Sequence, residues 1–310
     1  MRQAIKLGIL RVNSNLKYVL LLWVVNTGFA ILLTGPIFVF LKESLQHNEL
    51  AGKLTETFDY LWFLELNYTF SEIIKTLPTI LVLAGIIFAL LHVFLLSGIY
   101  QILSGEVKKN HFIDFFYGCV RYFYRFFKVF LISVVCYTGL YFINLIYLDY
   151  VEVLSLYSES QLLIIAINLL RYATIVFVFG TLNILFDYIR IRIVIHQNYN
   201  VLKDLWLSFK LIVRKFFRIS ILFWFFMALG VGLYILHTQL DNYLNPTSFI
   251  SILGIFIMHQ IYIITKIWMK FLCTSSQIEF FRYLSISSAE SIKVVQIEIP
   301  LQGEELQGEQ

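Results

Sequence analysis

Six long apolar stretches constrain this chain more than any other feature. They run approximately over Tyr18–Leu41, Leu77–Leu103, Phe126–Leu148, Leu162–Phe186, Phe216–His237 and Ser248–Thr274. Each reaches the roughly 20 residues that a helix needs to cross about 30 Å of hydrocarbon. Lipid offers no water to an open N–H or C=O, so runs of this length fold as helices and not as strands. The composition agrees: 59% of the 310 residues are hydrophobic and 14% charged, against about 25% charged in an ordinary soluble domain. A soluble globular domain, a disordered chain and a nucleic-acid-binding domain are thereby excluded. The first run is longer than the core of a signal peptide and no small-x-small site follows it, so it is expected to stay as a transmembrane helix.

The cations give the sides. Twenty of the 24 Lys and Arg lie before the first run, in the second and fourth connections with the turns beside them, or at the end of the sixth run and beyond. The first connection holds only Lys42, Lys53 and Lys75, and Arg171 lies inside the fourth run. By the positive-inside rule both termini are expected in the cytoplasm. The opposite loops carry acids such as Glu43, Glu56, Asp59, Asp149, Glu152 and Asp241, read as solvated loop surface. The first of these loops holds an aromatic stretch, Phe58–Leu66, expected to form short helices on the outer face, and an Asn67-Tyr-Thr acceptor pattern.

Each basic segment before an odd-numbered run has helical periodicity. Asp114, Gly118, Arg121, Arg125 and Lys128 form one stripe, with Phe112, Phe115, Phe116, Phe123, Phe126 and Phe127 on the other faces. Lys203, Lys210, Arg214 and Arg218 share a side opposite Leu205, Phe209, Ile212 and Phe216; Arg2, Lys6, Asn13 and Lys17 oppose Ile5, Ile9, Val12 and Leu16. The segments superpose without gaps on Lys17, Lys128 and Arg218. The expected fold is therefore an all-α polytopic membrane domain over 1–285, with six transmembrane helices in three hairpins. A basic amphipathic interfacial helix precedes each hairpin, and 286–310 form a disordered cytoplasmic tail. The apolar faces of such helices either pack on the helix bundle and anchor the topology, or sink into the boundary while Lys and Arg meet anionic headgroups. Arg121, Arg125, Lys128, Lys210, Arg214 and Arg218 are the expected lipid contacts.

Within the spans, Arg171 is the most informative residue. It lies roughly 13–15 Å below the outer end of its helix, where an unpaired guanidinium is costly. No Asp or Glu lies in the core of any span. Asn168, Asn144 and Asn26 are therefore candidate members of a polar pocket around it, with an acid at the outer boundary as the other option. His92 and His259 lack a carboxylate at metal-ligand or catalytic spacing and are read as interhelical hydrogen-bonding groups. Asp187 and Arg190, three residues apart, can pair on one face and fix a helix exit. Gly85-x-x-x-Ala89 and Ala228-x-x-x-Gly232 permit close helix approach. Cys119, Cys136 and Cys273 are widely spaced, with no CxxC pair, which argues against disulfides and thiolate metal sites. There is no GxxxxGK[ST], HExxH or GxSxG motif. No catalytic residue, cofactor or metal is expected.

Three segments, Leu96-Ser-Gly-Ile-Tyr100, His111-Phe-Ile-Asp-Phe-Phe-Tyr-Gly-Cys-Val-Arg-Tyr122 and Phe186-Asp-Tyr-Ile-Arg-Ile-Arg192, resemble a broad group of uncharacterised bacterial inner-membrane proteins. Over most of 1–285 the chain is similar in plan to the six-span domain attached to some glycerophosphodiester phosphodiesterases. The catalytic barrel of those enzymes has no counterpart here, so no activity carries over. The resemblance implies a bacterial cytoplasmic membrane and a role in lipid or envelope matters. The expected function is a non-enzymatic integral membrane protein that organises lipid or an envelope complex. Its expected partners are membrane lipids, anionic ones among them, and a membrane protein. The alternative is a transporter or lipid-handling permease built on the Arg171 pocket.

Overall fold

The computed structural model describes residues 1–46, 60, 64, 68, 71–105, 111–157, 160–197, 200–244 and 248–298. Among them the chain is all-helical, without strands. In order come α1 (Arg2–Ser14), α2 (Leu16–Gln46), α3 (Ser71–Ser104), α4 (Phe112–Tyr157), α5 (Gln161–His196), α6 (Val201–Arg214), α7 (Phe216–Tyr243) and α8 (Phe249–Glu298). Among the described residues, α2, α3, α4, α5, α7 and α8 are long and apolar enough to cross a membrane. The aromatic Phe58–Leu66 stretch and the Asn67-Tyr-Thr pattern lie outside the described residues, except that 60, 64 and 68 are helical.

Helix boundaries depart from the sequence reading in three places. α3 starts at Ser71, so Pro78 lies inside the helix and not at its start; the one ladder bond lost to its missing N–H falls near the helix's polar beginning. α8 continues through 286–298, within the segment expected as a disordered tail; no Gly or Pro interrupts it before Pro300. The second basic segment is not a separate helix. It forms the first turns of a continuous 46-residue α4, because nothing after Gly118 competes with the helical ladder in the run Arg121-Tyr-Phe-Tyr-Arg-Phe-Phe-Lys128.

The first and third basic segments do form separate helices, each ended by one non-helical residue. Asn15 (φ −125°, ψ 28°) ends α1 and Lys215 (φ −122°, ψ 27°) ends α6. At Asn15 the competition is visible. Ser14 Oγ and Asn15 Nδ2 both donate to the Arg11 carbonyl at 3.0 Å, while the Asn15 N–H turns to Val12 O at 2.9 Å. Side chains that bond the local backbone in this way end helices. The two breaks are one residue out of step with the superposition of Lys17 on Arg218.

α2, α3, α4, α5, α7 and α8 follow one another around a ring, with α8 returning to α2. α3, α5 and α8 also touch one another, so they converge on the ring axis. Each basic segment packs on the even-numbered span that precedes it around the ring. The start of α4 lies on α3, α6 on α5, and α1 on α8. Two of these contacts are very close. A Cβ added at Gly8 would meet Ser276 Oγ at 2.7 Å, and one at Gly98 would collide with Cys119 Sγ and reach the Phe115 carbonyl oxygen at 2.8 Å. By contrast, a Cβ at Gly85 or Gly232 meets nothing within 4 Å. The two small-x-x-x-small pairs read from the sequence therefore make no close helix approach here.

The packed core is a band at the basic end of the ring. It is built from the start of α2, the second half of α3, the first half of α4, the end of α5, the start of α7 and the stretch of α8 around 271–284, with α1 and α6 against it. Outside this band, among the described residues, only Val151 and Arg171 are buried. Towards the other end the helices expose their apolar side chains, including Ile31, Phe38, Ile146 and Tyr243. That pattern suits lipid contact, since in hydrocarbon an apolar outer surface carries no penalty.

Candidate functional site

Where α3, α5 and α8 converge, each contributes to one polar cluster. Asp187 on α5 is 2% exposed and accepts from three donors: Tyr100 Oη of α3 at 3.0 Å, Arg190 Nη1 one turn on at 3.3 Å and Lys270 Nζ of α8 at 3.5 Å. Tyr100 is equally buried, whereas the Lys270 side chain is 57% exposed. A buried carboxylate is tolerated only when paired and hydrogen-bonded, and this one is held by all three axial helices. The local sequence makes the meeting possible: Ser97 and Gly98 keep α3 slim one turn before Tyr100, and Ser97 Oγ donates to the Cys119 carbonyl of α4 at 3.0 Å.

Two further ionic links tie the separate basic helices to this band. Arg11 on α1 is 3% exposed and donates through Nη1 to Glu279 Oε1 of α8 at 2.5 Å and to the Leu103 carbonyl at 2.7 Å. Arg282 joins the same carboxylate at 3.0 Å and donates to the Ser104 carbonyl. Burial lowers the Arg11 guanidinium from its ordinary value, and the Glu279 carboxylate pulls it back by charge and hydrogen bond; an arginine stays cationic at neutral pH regardless. On the other side Arg192 of α5 holds the fully buried Asp204 of α6 at 3.2 Å. Beside Glu279, Ser275, Ser276 and both amide atoms of Gln277 are buried without hydrogen-bond partners.

The basic helices have three faces, where the sequence pattern suggested two. On α6, Val201, Asp204, Ser208 and Ile212 are buried; Leu202, Trp206, Phe209 and Val213 form an exposed apolar stripe; Lys203, Lys210 and Arg214 are exposed beside it. Phe209 and Ile212, expected together on one apolar side, are thus split, with Ile212 packed on protein and Phe209 exposed. On α4, Phe115, Gly118, Cys119 and Tyr122 pack inward, while Ile113, Tyr117, Val120 and Tyr124 are exposed. Gly118, expected on the polar stripe, is instead packed against Gln101. Arg121 and Lys128 are exposed and Arg125 half-buried; Arg218 is exposed beyond the second break. Arg121 donates to Gln197 Oε1 at 2.6 Å, Arg125 lies over Tyr122, and Lys128 Nζ sits 4.4 Å from the Tyr124 ring centroid.

The four residues of the expected polar pocket are not joined by any hydrogen bond among the described residues. Arg171 is 6% exposed, lies 4.4 Å from the Tyr172 ring and has Nε and Nη1 buried without partners. Asn168 donates back to the Ile164 carbonyl at 3.1 Å. Asn144 and Asn26 each have a buried side-chain oxygen without a partner. His259 Nδ1 lies 2.8 Å from the Ile255 carbonyl, and its ring centroid is 4.7 Å from that of His237. Among the described residues no group of three His, Cys, Asp or Glu could hold a metal ion.

Tyr100 and Lys270 escaped the sequence reading because nothing local marks them as partners of Asp187. The available signal was a Lys on an otherwise apolar helix. What the arrangement provides is a rigid polar hub under a ring of lipid-exposed helices, rimmed by cations and apolar side chains at one end. No protein-family model, curated protein or solved structure matches this chain.

Proposed function

We propose that this chain is a non-enzymatic multi-pass protein of the bacterial cytoplasmic membrane that organises anionic lipid of the inner leaflet. On this reading six helices span, both termini and the basic end face the cytoplasm, and three hairpins, each led by a basic helical segment, repeat around the axis. The single observation that carries it is the three-faced α6. One face is anchored through Asp204, one offers Leu202, Trp206 and Val213 to hydrocarbon, and one offers Lys203, Lys210 and Arg214 to headgroups. The start of α4 repeats the arrangement with Arg121 and Lys128. The matching breaks after α1 and α6 and the cyclic packing of the basic segments support the repeat. The similarity in plan to bacterial inner-membrane domains supports the location.

Each cation near an anionic surface contributes about 1 kcal/mol. Reversing four exposed cations together (R121E, K128E, K210E and R214E) should therefore strip phosphatidylglycerol from detergent-purified protein while phosphatidylcholine stays as before, counted by native mass spectrometry. Unchanged phosphatidylglycerol would end the reading.

A second reading, a lipid-handling permease, is favoured by the two buried, unpartnered nitrogens of Arg171. Purified protein in liposomes would then move a fluorescent anionic lipid between leaflets, and Arg171→Leu would stop it. Such movement, lost in that variant, would put the permease ahead of the scaffold.

A further inference from the structure

An apolar slot of about 390 Å³ runs between α7 and α8. α7 lines it with Phe223, Phe226 and Tyr234, and α8 with Tyr262 and Met269. The two antiparallel helices each contribute twelve residues, from Phe223 to Tyr234 and from Cys273 back to Tyr262, a length of about 16 Å. Its walls are apolar throughout except on one side. Lys266 and Lys270, a turn apart on α8, both line the slot, Lys270 towards its basic end and Lys266 near its middle.

Lys270 shares Asp187 with Arg190 and Tyr100, and its side chain is more than half exposed. Lys266 is exposed, has no ion pair among the described residues, and is flanked by the apolar Ile263, Ile264 and Ile267. A lysine so placed is expensive unless it reaches the interface or meets an anion, and its long stem lets it reach towards the basic end. Among the described residues no Asp or Glu lines the slot, and Asp187, which Lys270 reaches, is already held by Arg190. The slot therefore offers a channel for a hydrocarbon chain and net positive charge where that chain's headgroup would lie. The volume falls in the range of about 300–1,000 Å³ typical of small-molecule sites.

We infer, on the lipid-holding reading above, that this slot takes one acyl chain of an anionic phospholipid whose phosphate is held by Lys266 and Lys270. Gly230 supplies the means to test it. It lines the slot, and a Cβ built there meets nothing within 4 Å, so a larger side chain enters the slot without displacing backbone.

The experiment uses full-length protein in detergent, titrated with dioleoyl phosphatidylglycerol or dioleoyl phosphatidylcholine and read by native mass spectrometry. Wild type should bind one phosphatidylglycerol more tightly than the rest. Lys266→Gln should weaken that one by about fivefold, the effect of a single cation near a lipid phosphate, and leave phosphatidylcholine unchanged. Gly230→Leu, which keeps both lysines, should abolish the tight event while the melting temperature stays at the wild-type value. Millimolar inorganic phosphate should not compete. Equal binding of the two lipids to wild type, or tight binding that survives Gly230→Leu, overturns the slot assignment; so does displacement by phosphate, which would make the lysines a plain anion site. The R121E, K128E, K210E and R214E protein separates the levels. If it loses phosphatidylglycerol while the slot variants do not, the slot fails and the wider reading stands.

Discussion

Asp187 joins three helices through one carboxylate, and its replacement should be felt in all of them. Asp187→Asn removes the charge that Arg190 and Lys270 face and should cost about 3–5 kcal/mol, as breaking a buried ion pair does. Tyr100→Phe removes one hydrogen bond to a charged acceptor and should cost about 2 kcal/mol. In the double variant the losses should be less than additive, because both remove the same bond. Denaturant titration of the detergent-solubilised protein checks this, and full additivity would show that Tyr100 contributes by packing alone. Close packing can be tested just as locally. Gly98→Ala should destabilise, since the new methyl meets both Cys119 Sγ and the Phe115 carbonyl oxygen, while Gly28→Ala, with nothing within 4 Å, should be neutral or slightly stabilising. The sequence revealed little at this scale. It paired Asp187 with Arg190 because they are three residues apart, but the partners 87 and 83 positions away depend on which helices meet. Arg11 looked like one more surface cation. Its burial follows from a carboxylate 268 residues distant.

Among the elements, the spans were the most legible part, because hydropathy over 20 residues is a property of the segment itself. The basic helices were half legible. Their periodicity showed a polar side, but periodicity cannot separate an apolar side packed on protein from one turned to lipid, and both α4 and α6 carry the two at once. Nor does it show whether a helix continues, as at Phe126, or stops, as at Asn15. The anchoring of α6 gives a prediction at this scale. Asp204→Asn weakens the link to Arg192 without changing side-chain volume. Amide exchange across 201–214 should speed up while α3 and α5 stay protected, as read by hydrogen–deuterium exchange. Unchanged protection would mean that Val201, Ser208 and Ile212 suffice to dock the helix.

For the whole molecule, the charge bias predicts sidedness and the packing gives closure. A reporter active only in the cytoplasm should work when fused after Gly105 or Gln197 and fail after Glu152 or Leu244; the reverse at any two sites would invert the proposed orientation. Closure itself could not be read from the chain, since it depends on α1 lying against α8, the first helix against the last. That contact also has a meaning in time. A ribosome completes α1 long before it has made Glu279, so for most of synthesis Arg11 has no carboxylate waiting and Gly8 has no Ser276 to rest on. The first helix goes without its packing partner until the final span is made, and a chain halted before α8 is left with an open ring and with Arg11 lacking its carboxylate.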